Sequence, residues 1–290
     1  MRTEDEMYRM ILKIAEEDKR IRAVYMNGSR TNSNVPKDIF QDFDIVYVVT
    51  DTKPFIDDKK WINKFGEIWF MQYPDEHPDF PSDKANFYGW LMQFKDGNRI
   101  DLHVESISHA QEHIRDDKLC KILLDKDNIL PDIQESTDAD YYVKYPSKEQ
   151  FLCTCTEFWW CLNNVAKGLW REEPLYVQDM MNFCVRKQLE KVIAWKIGIQ
   201  TDFAVSVGKS SKYMFKWIDE TEYEEYLSTY ALGSVKDCWR AVFKMTELFS
   251  SIAKFVAEEL GYFYNVEEER ACMEFLNIVY ALPKDAKEII

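Results

Sequence analysis

The chain has 290 residues, 46% hydrophobic and 15% aromatic, with only 9 Gly, which allows one large or two medium folded units and excludes a disordered or fibrous chain. Its 51 acids against 37 bases give a formal charge of −14, which opposes binding to a nucleic-acid backbone and favours cations, whether metal ions or polyamine-like molecules. The first 21 residues are charged throughout, the longest strongly apolar run (Ile45–Val49) cannot cross a bilayer, and the seven scattered Cys include no Cys-x-x-Cys pair. A cytoplasmic protein is expected, with no membrane or nucleic-acid partner, no disulfide framework and no zinc site.

Apolar residues Met7, Ile11 and Ile14 predict a helix over 4–18, capped by Thr3 with Glu6 three residues on. A short strand over 21–26 ends in the turn Asn27-Gly28-Ser29-Arg30-Thr31. Residues 42–50 read as a strand whose inner part is apolar on both faces, as in a buried central strand. Further strands are expected at 67–72, 90–94 and 99–105, the last two joined by the turn Lys95-Asp96-Gly97-Asn98. A helix carrying His109 and His113 follows, then a strand over 121–124. Beyond Tyr145-Pro146-Ser147 the pattern turns helical, with stretches at 148–170, 175–199, 209–218, 220–231, 234–260 and 266–280. The expected architecture is α+β in two domains: a mixed β-sheet flanked by helices over 1–145, then an α-helical bundle over 146–290.

In Gln41-Asp42-Phe43-Asp44-Ile45 the two acids stand at i and i+2, so on a strand both point to one face. Two adjacent carboxylates at the mouth of a hydrophobic strand repel each other unless a cation lies between them, and Mg²⁺ suits carboxylate oxygens combined with phosphates. An isolated Asp-x-Asp is more often a solvated strand end. Two features argue against that here. Asp101 alternates with Ile100 and Leu102 and supplies a third carboxylate from a strand, as a two-metal nucleotidyl-transfer site requires. Gly28-Ser29, a small-residue turn after a strand, opens backbone N–H groups and a hydroxyl to phosphate oxygens.

Strand, Gly-Ser, Asp-x-Asp on a hydrophobic strand and a later lone acid together resemble the DNA polymerase β-like nucleotidyltransferases. Asn27-Gly28-Ser29-Arg30-Thr31, Phe40-Gln41-Asp42-Phe43-Asp44, Glu157-Phe158-Trp159-Trp160, Val165-Ala166-Lys167-Gly168-Leu169 and the basic stretch from Gly208 to Lys216 narrow the resemblance to the aminoglycoside 6-adenylyltransferases, over essentially the whole chain. The resemblance implies transfer of AMP from ATP to the 6-hydroxyl of streptomycin with release of pyrophosphate, conferring antibiotic resistance. By position, Gly28, Ser29 and Arg30 would bind the nucleotide, and Asp42 and Asp44 would hold Mg²⁺. Asp101 would complete the metal site or take the proton of the attacking hydroxyl.

In the helical half, Lys209 and Lys212 would neutralise the β- and γ-phosphates from a loop leading into a helix. A P-loop is excluded, because Phe203 stands where the first Gly is required. Glu157, flanked by Trp159 and Trp160, could bind a cationic sugar or act as general base; against this stands an ordinary surface acid beside core aromatics. Asp179 matches an acid of the family's substrate-side helix. A monomer or small homo-oligomer is expected. Rival readings are the same chemistry on another aminoglycoside, a lincosamide or a protein hydroxyl, and a non-catalytic binding or antitoxin module; the three acids speak against the latter. His109/His113 lacks the zincin Glu, and Asp125-Lys126-Asp127-Asn128 lacks the Gly and Glu of a calcium loop.

Overall fold

The computed structural model describes residues 1–289, and the chain separates into two compact units, Met1–Asp140 and Tyr141–Ile290. The first is α+β. Helix α1 (Glu4–Glu17) opens on a capping box in which Thr3 and Glu6 satisfy each other's backbone N–H groups. It is followed by β1 (Ile21–Asn27), β2 (Phe43–Val49), α2 (Lys53–Asp57), β3 (Ile68–Gln72), β4 (Phe87–Phe94), β5 (Arg99–Ser106), α3 (Ile107–His113) and β6 (Cys120–Asp125).

The strands form one mixed sheet in the order β3-β4-β5-β2-β1-β6. The β2/β5 pair is parallel, whereas β1 pairs antiparallel with β2 and β6, and β4 with β3 and β5. Central β2 is apolar on both sides because both sides are covered. Phe43, Ile45, Tyr47 and Val49 pack in one cluster with Met7 and Ile11 of α1. Val46 and Val48 face a second cluster containing Ala110 of α3. The Tyr47 hydroxyl donates to the Ile11 carbonyl at 2.7 Å, so the buried phenol costs no orphaned polar group.

The second unit is helical: α4 (Lys148–Trp170), α5 (Pro174–Asp179), α6 (Arg186–Gln200), α7 (Glu220–Ser228), α8 (Val235–Leu260) and α9 (Val266–Ala281). Ser147 and Gln150 cap α4 reciprocally, and α8 stops at Gly261 in the left-handed conformation. Residues 141–145 belong with this unit: the Val143 side chain lies in its core, and the Val143 N–H donates to the Val205 carbonyl at 2.9 Å.

Three helical expectations are corrected. The stretch 175–199 contains a π-helical segment, Met180–Val185, between α5 and α6. Val177, Met181, Val185 and Leu189 are all buried at a spacing of four; a 3.6-residue turn would rotate them progressively off the core, and the wider π turn absorbs that drift. Residues 209–218 form only two short 3₁₀ turns, Lys209–Ser211 and Met214–Lys216. Gly208, Ser210 and Ser211 all have positive φ, a backbone that an α-helix of L-residues cannot contain. The next helix also ends at Ser228 rather than 231.

Candidate active site

The parallel β2/β5 register sets Asp44 beside Asp101, and the β1/β2 register sets Asn27 beside Asp44. Asp42 stands two residues before Asp44, so its side chain shares that face. One carboxylate oxygen from each of Asp42, Asp44 and Asp101 lies within 4.8 Å of the others, the one such acid, His or Cys group among the described residues. Burial and the charges of Asp42 and Asp101 push the Asp44 carboxyl up to about 7, partly offset by Arg99 and Arg30.

Gly28 has φ +76°, and a Cβ placed there would lie 2.0 Å from Asp44 Oδ2. Its N–H donates to the Leu119 carbonyl at 3.1 Å. The residue therefore provides room beside the carboxylate, and its amide is not open to a phosphate as the sequence suggested. Ser29 begins a single 3₁₀ turn, Ser29–Thr31.

Arg30 does not match its expected nucleotide-binding role. Its Nε donates to the Asp42 carbonyl at 2.8 Å and its Nη2 to the Gln41 carbonyl at 2.7 Å. The guanidinium stacks 3.7 Å from the Phe43 ring centroid and approaches Glu4 at 3.4 Å, with the side chain 9% exposed. Arg30 is a strut that fixes the backbone entering β2.

Sequence reasoning missed Arg99 and Gln41. Arg99 grips Asp101 through Nε (2.8 Å) and Nη2 (2.6 Å), and its Nε lies 3.6 Å from Asp42 Oδ2. The signal was available, since Arg99 and Asp101 stand i and i+2 on one strand face. Gln41 donates from Nε2 to the Ser29 carbonyl at 3.5 Å, while its Oε1 is buried without a partner. No periodicity announces that contact.

The expected surface helix α3 is partly tied down. His109 Nδ1 bonds the buried Glu105 carboxylate, which also accepts from the Tyr25 hydroxyl at 2.5 Å. The calcium-like sequence is a turn: Asp125 accepts from the backbone N–H groups of Asp127, Ile129 and Leu130.

In the helical unit, Glu157 is exposed and borders a cavity of about 530 Å³ shared with Gln150, Thr154, Lys191 and Trp195. Cys161 Sγ lies 3.3 Å from Glu157 Oε1. Trp159, expected at the substrate, is instead a core residue: it is 2% exposed, packs edge-on against Phe158 and Phe249 and donates from Nε1 to the Tyr264 hydroxyl at 3.2 Å. Helix phase explains the difference, because α4 turns Trp160 rather than Trp159 outward, at 66% exposure. Asp179 is exposed at the last position of α5. Lys209 and Lys212 are exposed, and Lys212 and Lys216 place their Nζ atoms 5.0 and 4.3 Å from the Tyr213 ring centroid. Of the seven Cys, all free, Cys153 is exposed while Cys155 and Cys161 are buried.

A mixed sheet that carries three clustered carboxylates behind a Gly-Ser turn is the layout of a nucleotidyltransferase. The comparisons narrow the class. A family model described as streptomycin adenylyltransferase matches residues 1–279, and the chain belongs to that family of enzymes. It is 41% identical to an aminoglycoside 6-adenylyltransferase of Campylobacter jejuni, over 93% of each chain. It is 38% identical to one of Bacillus subtilis (strain 168), over 91% of this chain and 93% of the relative. A crystal structure of an aminoglycoside 6-adenyltransferase from Bacillus subtilis aligns with 97% of this chain and 100% of its own, at 32% identity and a TM-score of 0.49.

Proposed function

We propose that the protein transfers AMP from ATP to the 6-hydroxyl of streptomycin, with Mg²⁺ and release of pyrophosphate, and so confers resistance. Membership in the family and the names of the relatives support adenylyl transfer to an aminoglycoside. The observation that carries the catalytic reading is the convergence of Asp42, Asp44 and Asp101 within 4.8 Å.

The donor set fits a hard divalent cation. All three ligands are carboxylates, and Asp44 resists ionisation because it is buried and its neighbours are acids, a conflict that a cation between them relieves. When bound, Mg²⁺ supplies positive charge to the phosphate oxygens at the reacting centre. Asp42, Asp44 and Asp101 would hold it, with Arg30 and Phe43 keeping the Asp42 backbone in place. The Ser29 hydroxyl would meet the triphosphate in the space that Gly28 leaves open, and Lys209, with Lys212, would bring charge to the β- and γ-phosphates. Glu157 and Asp179, both exposed, would attract the cationic acceptor. The proton of its hydroxyl passes to a carboxylate, Asp101 or Glu157. In this reading the first unit is the nucleotidyltransferase domain and the second contributes to binding of substrate and nucleotide. A cytoplasmic location belongs to the same reading, because the ATP it requires is found there.

Mass spectrometry of streptomycin incubated with protein, ATP and Mg²⁺ tests the reading, the expected product carrying one added AMP. Modification of a different aminoglycoside alone would reassign the acceptor. No AMP transfer to any drug of a panel would overturn the assignment.

A further inference from the structure

Arg99 occupies the acidic centre as a cation. On β5 it shares a face with Asp101, and its guanidinium makes two parallel bonds to that carboxylate, at 2.8 and 2.6 Å. The same Nε lies 3.6 Å from Asp42 Oδ2. Both Asp101 oxygens accept a charge-assisted bond from the guanidinium, so a divalent ion approaching either one meets a like charge already paired with it. The Arg99 side chain is 46% exposed while that of Asp101 is 13% exposed, so the guanidinium has solvent to move into and the carboxylate does not.

We propose that Arg99 is a resident counter-ion that balances Asp101 and Asp42 while the centre is metal-free, and that it is displaced from Asp101 as the divalent ion enters. The inference rests on the reading of Asp42, Asp44 and Asp101 as a metal site. Arg99 then has two effects on the same equilibrium. It spares the empty site the repulsion of three acids packed together, and it competes with the metal for the Asp101 oxygens. Metal affinity in the absence of nucleotide is therefore held down by a residue that is not itself a ligand. Lysine cannot reproduce the effect fully, since a point charge lacks the planar fork that engages both oxygens at once.

The test is Mn²⁺ binding to the nucleotide-free protein, followed by electron paramagnetic resonance, in wild type, Arg99→Gln and Arg99→Lys. Arg99→Gln is expected to bind Mn²⁺ about tenfold or more tightly, with Arg99→Lys between it and wild type. The metal-free Arg99→Gln protein should melt below wild type, and saturating Mn²⁺ should close most of that gap. Equal or weaker Mn²⁺ binding by Arg99→Gln overturns the proposal. Should that variant not fold, the Nε–H resonance of Arg99 in labelled wild-type protein gives the same answer. It should shift on Mg²⁺ titration, and an unmoved resonance at saturation overturns the proposal. Binding of Mn²⁺ by wild type that is lost in Asp44→Asn tests the metal site separately. If neither wild type nor Arg99→Gln binds Mn²⁺, the metal reading fails and this inference with it.

Discussion

Gly28 and Asp44 are held so close that the smallest side chain would not fit between them, a Cβ at Gly28 falling 2.0 Å from Asp44 Oδ2. The β1/β2 pairing of Asn27 with Asp44 fixes this approach through backbone hydrogen bonds. Gly28→Ala would have to displace the carboxylate, and the backbone of Gly28, at φ +76° and ψ −157°, lies in a region essentially reserved for glycine and adds strain of about 1–3 kcal/mol. The expected result is a loss of at least about 100-fold in kcat/KM, since small misplacements at a reacting centre cost that much. Steady-state kinetics beside a thermal melt would separate the two effects. Unaltered turnover would place the chemistry elsewhere.

Replacing Asp42, Asp44 or Asp101 by Asn should leave the fold intact, because all three sit at the open end of the strands rather than in the apolar clusters. Each substitution should lower kcat by roughly a thousandfold or more if the carboxylates hold the metal, several kcal/mol of charge stabilisation being at stake. Pyrophosphate release measured at saturating ATP is the readout, and wild-type rates in Asp42→Asn would refute the assignment.

The raised carboxyl of Asp44, at about 7, has a definite pH signature. In the metal-free protein the folded state holds a proton that the unfolded chain has already lost between pH 4 and 7, so stability falls as pH rises through that window. Metal binding needs the ionised form, so apparent affinity should weaken by up to about tenfold per unit as pH drops below 7. Calorimetry in two buffers of different ionisation enthalpy should show proton release on metal binding at pH 6 and almost none at pH 8.5. Equal release at both values would dissociate Asp44 from the site.

Trp159 and Trp160 are adjacent in sequence and opposite in role. Trp159→Ala should destabilise the protein by about 3–5 kcal/mol, as deletion of a buried aromatic does. Trp160→Ala should change stability by no more than about 0.5 kcal/mol. Urea denaturation of the two variants decides this, and the reverse order would mean that the phase of α4 has been assigned wrongly.

Lys196 and Glu222 form a close pair, with Nζ 2.7 and 2.6 Å from the two carboxylate oxygens and side chains only 19% and 9% exposed. Lys196→Met leaves Glu222 without its counter-ion in a largely dry setting, at an expected cost of about 2–4 kcal/mol. The double variant Lys196→Met/Glu222→Gln should recover most of the loss in denaturant melts. No recovery would mean that Lys196 acts by packing rather than by charge.

Strands and long helices were legible in the sequence because a single period governs each of them. The apolar run of β2, the alternation of Ile100, Leu102 and Val104, and the stripe of α4 all report burial directly. The acid triad was legible for the same reason, i and i+2 placing Asp42 with Asp44 on one face. What escaped were features set by contacts between distant segments or by backbone geometry. Arg30 carries the charge of a phosphate ligand, yet backbone carbonyls of the loop before β2 take its donors. Trp159 and Trp160 differ only in helix phase. The stretch after Gly208 has a basic, helix-like composition, and two serines in left-handed conformation break it. Sequence spacing carries no sign of φ at a serine.

Asp101 meets Asp44 through one parallel strand pair, in which residues alternate between the two faces of the sheet. A slip of one residue between β2 and β5 would turn Asp101 into the apolar layer and offer Ile100 or Leu102 to the acids in its place. Such a slipped chain would break the packing of α1 as well, since Ile100, Leu102 and Val104 share its cluster. A register that fails to pack therefore also fails to bring the three acids together. Burial of the core and assembly of the acid cluster are set by the same ladder of hydrogen bonds.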